Sequence, residues 1–171
     1  MDEALELKIG EILRERGLKL VVSESCTGGL IGHRITNIAG SSDYYLGSIT
    51  AYAYEVKERL LGVNHHTLAY YGAVSRAVVI EMALGVRHAL DADFPFNKTI
   101  GISVSGIAGP GGGIPGKPVG LVWVGLSTVD GNQAWRFLWN GDRIQNKELT
   151  AEAALKILLG YLEKNLSPED Y

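Results

Sequence analysis

Residues 101–120 read GISVSGIAGPGGGIPGKPVG, and the break in the middle of this stretch decides the fold class. Ile and Val alternate up to Ser105 and mark a strand. Behind Ser105 come glycines and prolines that neither a helix nor a central strand tolerates, so the strand ends in a loop. A loop this rich in Gly leaves main-chain N–H groups bare, and a small anionic or amide-bearing ligand can approach them closely. Residues 21–36, VVSESCTGGLIGHRIT, have the same grammar: apolar strand, small hydroxyl residues, paired glycines, helix. Two such transitions predict one polar pocket at the strand ends of an α/β sheet.

Outward from these two stretches the pattern alternates. Leu5, Ile9, Ile12 and Leu13 share one face of a predicted helix over 2–16, stopped by Gly17. A short buried strand follows over Leu18–Ser23, and Gly28-Gly29 leads into a helix through Leu30, Ile31 and Ile35. Gly40-Ser41-Ser42-Asp43 reads as a turn, 47–52 as a strand, and 54–61 as a short helix carrying Lys57. Ser75 is placed to cap a long helix through Ile80, Ala83, Leu84 and Leu90. The strongest strands are 98–105 and 119–128. Asp130-Gly131 is a hairpin signal, with Trp135, Phe137 and Trp139 alternating on the returning strand. A last helix carries Leu149, Ala153, Leu155, Leu158 and Leu162, and a polar tail from about residue 165 is expected to fray. A hairpin inside a β-α-alternating chain predicts a mixed sheet between helical layers. The expectation is one domain over 1–171, a three-layer α/β/α sandwich.

Composition narrows the function. The net charge of −3 comes without a Lys/Arg cluster, which disfavours nucleic acid as a partner. No apolar run approaches a membrane span, and the acidic, amphipathic first ten residues do not read as an export signal. The single Cys26 cannot form an intramolecular disulfide, in keeping with a reducing cytoplasm. No Cys/His cluster has metal-ligand spacing, and the neighbouring His65 and His66 are expected to point apart. Neither a metal nor a cofactor is expected.

Three groups of residues could carry chemistry. Ser25-Cys26-Thr27-Gly28-Gly29 precedes a helix, where hydroxyl and free N–H groups could hold a carbonyl or phosphate oxygen, or could simply cap and pack the helix. Cys26 could be a thiolate nucleophile there or a small buried hydrophobe. Ser42 could be a nucleophile activated by Lys57, with Tyr52 nearby, since a desolvated lysine can take a hydroxyl proton; turn serines and helix lysines are otherwise solvated. Ser105 heads the glycine loop, which matches neither a P-loop nor the dinucleotide fingerprint. Lys117 could be merely solvated, and Arg143 could fork a phosphate or form a surface ion pair.

Taken in order, these blocks resemble the C-terminal domain family of competence/damage-inducible CinA proteins. The residues that carry the resemblance are Ser23 to Gly29, Ala39 to Asp43, Glu55 and Lys57, and Gly72 to Ser75. Ser105 to Pro110, Lys117 to Gly120 and Gly141 to Arg143 complete it, so that it spans roughly 20–160. That family includes nicotinamide-mononucleotide amidohydrolases. The resemblance implies a metal-free hydrolysis of nicotinamide mononucleotide to nicotinic acid mononucleotide and ammonia, and a homodimer or higher homo-oligomer. Larger members add a molybdopterin-binding-like domain with pyrophosphatase activity, for which 171 residues leave no room.

Ser25, Ser42, Tyr52, Lys57, Ser105 and Arg143 fall on family active-site positions. The mechanism implied has Ser42 as nucleophile, with Ser25 as the competing choice, and Lys57 as proton shuttle beside a cationic Arg143 that binds the 5′-phosphate. Ser25, Ser105 and backbone N–H groups would hold the developing oxyanion or the substrate, with Thr27, Gly28, Gly29, Gly106 and Gly109 in the binding loops. Tyr54 stands where the family often has Asn, which keeps a catalytically silent nucleotide- or partner-binding module as the alternative.

Overall fold

In the computed structural model, which describes residues 5–89 and 94–166, helices and strands alternate through the second strand, after which three helices, three strands and a last helix follow. The order is α1 (Leu5–Arg16), β1 (Lys19–Glu24), α2 (Leu30–Thr36), β2 (Tyr45–Thr50), α3 (Tyr54–Leu61) and α4 (His65–Tyr71). Then come α5 (Arg76–His88), β3 (Thr99–Gly106), β4 (Leu121–Thr128), β5 (Gly131–Leu138) and α6 (Arg143–Leu162). The strands form one sheet in the order β2-β1-β3-β4-β5. β1 runs parallel to both its neighbours, whereas β3–β4 and β4–β5 are antiparallel, so the sheet is mixed as expected.

The alternation in β1 and β3 sorts side chains to two faces. Leu20, Val22, Ile100, Ile102 and Val104 pack with α1, α2 and α6 in one core. Val21 joins Leu61, Leu68, Val78, Met82 and Val86 of α3, α4 and α5 in the other. Helices therefore cover both faces, the three-layer arrangement the sequence predicts. On the second face the sheet is paved with small residues. Ser23 and Ser103 donate from their Oγ atoms to the carbonyls of Met82 (3.2 Å) and Val79 (2.5 Å) on α5. A Cβ added at Gly101 would sit 2.2 Å from the Ala83 carbonyl oxygen, and one at Gly125 2.5 Å from that of Val79. Only glycine permits this approach of helix backbone to sheet.

Side-chain caps mark the starts of α4, α5 and α6. The Ser75 hydroxyl accepts from the Val78 N–H, as the sequence predicts, and Asp142 with Gln145 forms a capping box on α6. Helix α4 has no counterpart in the sequence reading; Asn64, whose side chain accepts from the His66 N–H at 2.8 Å, is the signal that marks it. β2 begins at Tyr45 rather than Gly47 and ends at Thr50, which leaves Tyr52 beyond the strand. Residues 2–4 of the first predicted helix, Leu90 of the long one and the tail from Ser167 lie outside the described residues. Among the described residues, no helix is long and apolar enough to cross a membrane.

Candidate active site

Five chain segments meet at one edge of the sheet. β1 ends there at Glu24 and hands over to Ser25, β2 at Thr50 and hands over to Tyr52, and β3 at Gly106. The antiparallel hairpin returns to the same edge, because Leu121 pairs with Leu138. Ligands of α/β sheets bind at the carboxyl ends of parallel strands. A cavity of about 310 Å³ opens here, with Ser25, Tyr52, Lys57, Ala73, Ser105 and Arg143 among its lining residues. A larger hollow of about 600 Å³ lies by α2 and α6 and is bordered by Arg34, Gln145, Glu148 and Glu152. It contains no nucleophile beside a base, and Arg34 is already paired with Glu6 and Glu152. The smaller cavity is the candidate site.

At its floor Lys57 is 1% exposed. Its Nζ lies 2.7 Å from the Ala51 carbonyl oxygen, 3.1 Å from that of Tyr52 and 3.0 Å from Ser25 Oγ. Burial without a carboxylate partner pushes Lys57 down from 10.5 to about 8. The cationic neighbour expected in Arg143 is not among the causes. A neutral amine has two N–H bonds and one lone pair. Carbonyl oxygens can only accept, so they take the two N–H bonds. The lone pair is left for the third neighbour, the Ser25 hydroxyl, which alone can donate a proton to it.

Ser42 is not brought to this site. It is exposed in a short 3-10 turn, Ser41–Asp43, that precedes β2. β2 runs parallel to β1, so its start lies at the opposite edge of the sheet. Six strand residues separate that edge from Lys57's, roughly 20 Å of extended chain. The pairing of Ser42 with Lys57 is therefore corrected to Ser25 with Lys57. Of the two readings of Cys26, the small buried hydrophobe holds: the side chain is buried, and burial pushes its thiol up to about 12, so it supplies no thiolate near neutral pH.

Other predicted residues are at the site in altered roles. Ser105 lines the cavity, yet its hydroxyl donates to the Ala73 carbonyl at 2.8 Å and ties the end of β3 to the segment before α5. Thr27, Gly28 and Gly29 shape the start of α2 and are not among the cavity-lining residues. Thr27 Oγ1 donates to Glu24 Oε2 at 2.6 Å. The N–H groups of Gly29 and Ile31 reach the same oxygen at 3.0 and 3.1 Å, and that of Gly32 reaches Oε1 at 2.9 Å. The buried carboxylate thus fills the positive end of α2 from inside, and those N–H groups are closed to a ligand. Gly106 lines the cavity. The Gly109 carbonyl accepts from Arg143 Nη1 at 2.6 Å, while Arg143 Nη2 donates to the Tyr52 hydroxyl at 3.1 Å. The guanidinium keeps further donors.

Sequence reading missed several participants. Glu24 is one; a carboxylate at a strand end just before a hydroxyl-Gly-Gly turn is the signal that could have found it. Tyr54 lines the cavity, and its hydroxyl accepts from the Ala73 N–H at 3.2 Å. Lys117 also lines the cavity, its ammonium donating to the Tyr71 carbonyl. Asn146 is buried on α6 and hydrogen-bonds Ala108 and Gly141. Among the described residues, no three His, Cys, Asp or Glu side chains are grouped to hold a metal.

The same frame recurs in known proteins. A CinA-like protein of Salinibacter ruber is 50% identical over 155 residues, covering 91% of this chain and 36% of that protein. A putative competence-damage inducible protein of Halothermothrix orenii is 48% identical over 163 residues, 95% of this chain and 38% of its own length. The chain thus spans little more than a third of these curated relatives. A crystal structure of a competence-damaged protein (CinA) superfamily protein from Klebsiella pneumoniae superposes with a TM-score of 0.86 at 31% identity, covering 94% of this chain and 96% of that one. Residues 2–162 match the CinA C-terminal domain, and the chain belongs to that family.

Proposed function

We propose that this domain is an amidohydrolase that converts nicotinamide mononucleotide to nicotinic acid mononucleotide and ammonia. The contact between Lys57 Nζ and Ser25 Oγ, at 3.0 Å, carries the reading. Neutral Lys57 takes the hydroxyl proton as Ser25 Oγ attacks the carboxamide carbon. The tetrahedral intermediate collapses with cleavage of the C–N bond, and the Lys57 ammonium returns the proton to the leaving nitrogen, which departs as ammonia. Water, deprotonated by Lys57, then cleaves the acyl-serine ester to carboxylate and free Ser25.

The cavity also suits a mononucleotide. Arg143 at its wall offers N–H donors to a 5′-phosphate. The rings of Tyr52 and Tyr54 border the same space and provide aromatic surface for a cationic pyridine ring. Tyr54 replaces the expected Asn amide with a hydroxyl that holds the Ala73 N–H, so its presence does not argue for a silent module. The test is ammonia release by purified protein from the mononucleotide, from free nicotinamide and from an unrelated amide. Turnover confined to the mononucleotide and lost in Ser25→Ala is expected. Ligand binding without turnover of any amide overturns the reading in favour of the silent module.

A further inference from the structure

A serine amidase needs hydrogen-bond donors for the oxygen that turns negative in the transition state. Of the sources expected from the sequence, the start of α2 and the Ser105 hydroxyl are committed elsewhere, and the glycine loop after Ser105 is not. The N–H groups of Gly29, Ile31 and Gly32 at the start of α2 all reach the Glu24 carboxylate. The Ser105 hydroxyl donates to the Ala73 carbonyl. The donors must lie in another part of the cavity wall.

The loop after β3 supplies them. Ile107 continues the pairing of β3 with the β4 side: its N–H donates to the Leu121 carbonyl at 2.9 Å, and its carbonyl accepts from the Gly120 N–H at 2.7 Å. Across a trans peptide the C=O and the following N–H point in opposite directions. The Ala108 N–H therefore points away from β4, toward the flank where β1 lies. Ser25 extends β1 on that flank and donates its own N–H to the Val104 carbonyl at 3.1 Å. The same rule applies one peptide later. The Ala108 carbonyl accepts from Asn146 Nδ2 at 3.0 Å, so the Gly109 N–H points away from α6. The far side from α6 is the face of α3 and α5, where Lys57 and Ala73 wall the cavity; Gly109 is buried next to the lining residue Ala108 and is not itself a lining residue. Neither N–H has a hydrogen-bond partner among the described residues, although Ala108 is buried and lines the cavity. Buried main-chain donors are rarely left unpaired.

We propose that the main-chain N–H groups of Ala108 and Gly109 form the oxyanion site for the carbonyl that Ser25 attacks, the first aimed by the Ile107–Gly120 pairing and the second by Asn146 as its positioning residue. The inference rests on the amidohydrolase reading. Asn146 is 1% exposed. Besides Ala108, its Nδ2 donates to the Gly141 carbonyl at 3.0 Å, and its Oδ1 accepts from the Gly141 N–H at 3.1 Å. All three bonds join the glycine loop and the turn before α6 to the helix, and none is directed to a substrate. Arg143 Nη1 fixes the next carbonyl, that of Gly109. The peptide oxygens of Ile107 and Ala108 are thus held by the Gly120 N–H and by Asn146, which leaves the N–H groups of Ala108 and Gly109 for the reaction.

Asn146→Asp keeps the shape and the acceptor for the Gly141 N–H but sets a carboxylate oxygen against the Ala108 carbonyl. It should lower kcat on nicotinamide mononucleotide by roughly 10²–10³-fold, with KM changed only a few-fold. Pyridine-3-boronic acid, whose tetrahedral adduct with Ser25 places a negative oxygen in this site, should lose affinity by a similar factor. Binding of nicotinic acid mononucleotide, which is planar at the carboxylate, should hold. A merely structural role would move both ligands together. An ester in place of the amide N–H of Ala108, introduced by incorporating the matching α-hydroxy acid, removes one donor without touching Asn146 and should also lower kcat. This second variant decides the matter if Asn146→Asp does not fold. Full kcat in the ester variant, or a KM effect alone in Asn146→Asp, overturns the inference while the amidohydrolase reading stands. A wild-type protein that hydrolyses no amide overturns both.

Discussion

The two serine-bearing turns that flank β1 and β2 read alike in sequence and end in opposite places. Both combine glycine with small hydroxyl residues beside a helix. The Ser25 turn leaves the carboxyl end of β1 and meets the lysine of the next β-α unit at 3.0 Å. The Ser42 turn enters β2 and faces solvent at the other edge. Strand direction decides which serine has chemistry. In sequence Ser42 is the closer to Lys57 and Ser25 the farther; in the fold the parallel pairing of β1 with β2 reverses that order.

The largest effect expected from this contrast is on the nucleophile. Ser25→Ala should cut ammonia release by about 10³-fold or more, the scale of losing a catalytic nucleophile. Ser42→Ala should stay within about two-fold, as exposed substitutions away from a site do. The opposite pattern in paired steady-state assays would move the site to the other edge of the sheet.

Lys57 sharpens the comparison next. Guanidinium does not deprotonate in the working range, so Lys57→Arg should be nearly inactive despite keeping its charge. In the wild type, turnover should rise with pH along a limb centred near 8, where Lys57 loses its proton. The same group links pH to stability. The unfolded lysine holds its proton up to about 10.5 and the folded one only up to about 8, so between those values the unfolded chain binds more protons. Raising the pH through that window should therefore stabilise the fold through Lys57, an increment that denaturation of Lys57→Met would lack. A flat activity profile across pH 8 would reduce Lys57 to a positioning group.

Arg143 is expected to give a smaller and more selective effect. A hydrogen bond to a charged group contributes about 1.5–3 kcal/mol, so Arg143→Ala should raise KM for the mononucleotide roughly 10–100-fold. The dephosphorylated nucleoside should be affected far less. A matching fall in kcat on both substrates would instead report the loosened Gly109 carbonyl.

The fold was legible because its signals are periodic. The Gly/Ser–Ile/Val alternation of β3, the cap at Ser75 and the Asp130-Gly131 hairpin each state a local geometry, and together they leave little freedom for the sheet. The site was legible to the level of its loops, since the two strand-to-loop transitions after β1 and β3 lie at or beside the cavity, although the similar turn at Gly40 to Asp43 does not. The pairing of side chains was not. Glu24 and Asn146 are single polar letters whose partners, Thr27 Oγ1 apart, are main-chain atoms, and main-chain atoms leave no trace in composition or spacing. Ser42 could have been set aside: a residue ahead of a parallel strand and a residue behind it lie a strand's length apart. Helix α4 spans seven residues and buries only Leu68, too brief for a period to register.

The serine- and glycine-paved face of the sheet also governs the dimensions of the cavity. Segment 72–74, which forms one wall, leads directly into α5, and α5 rests against Gly101, Ser103 and Gly125. Methyl groups added beneath the helix would lift it, and the wall would travel with it as one rigid lever. Under the proposed function, the fit of the cavity to its substrate is therefore set partly by buried positions outside the cavity wall. Variation at those buried positions offers a route to widening or narrowing the range of substrates without altering a single contact residue.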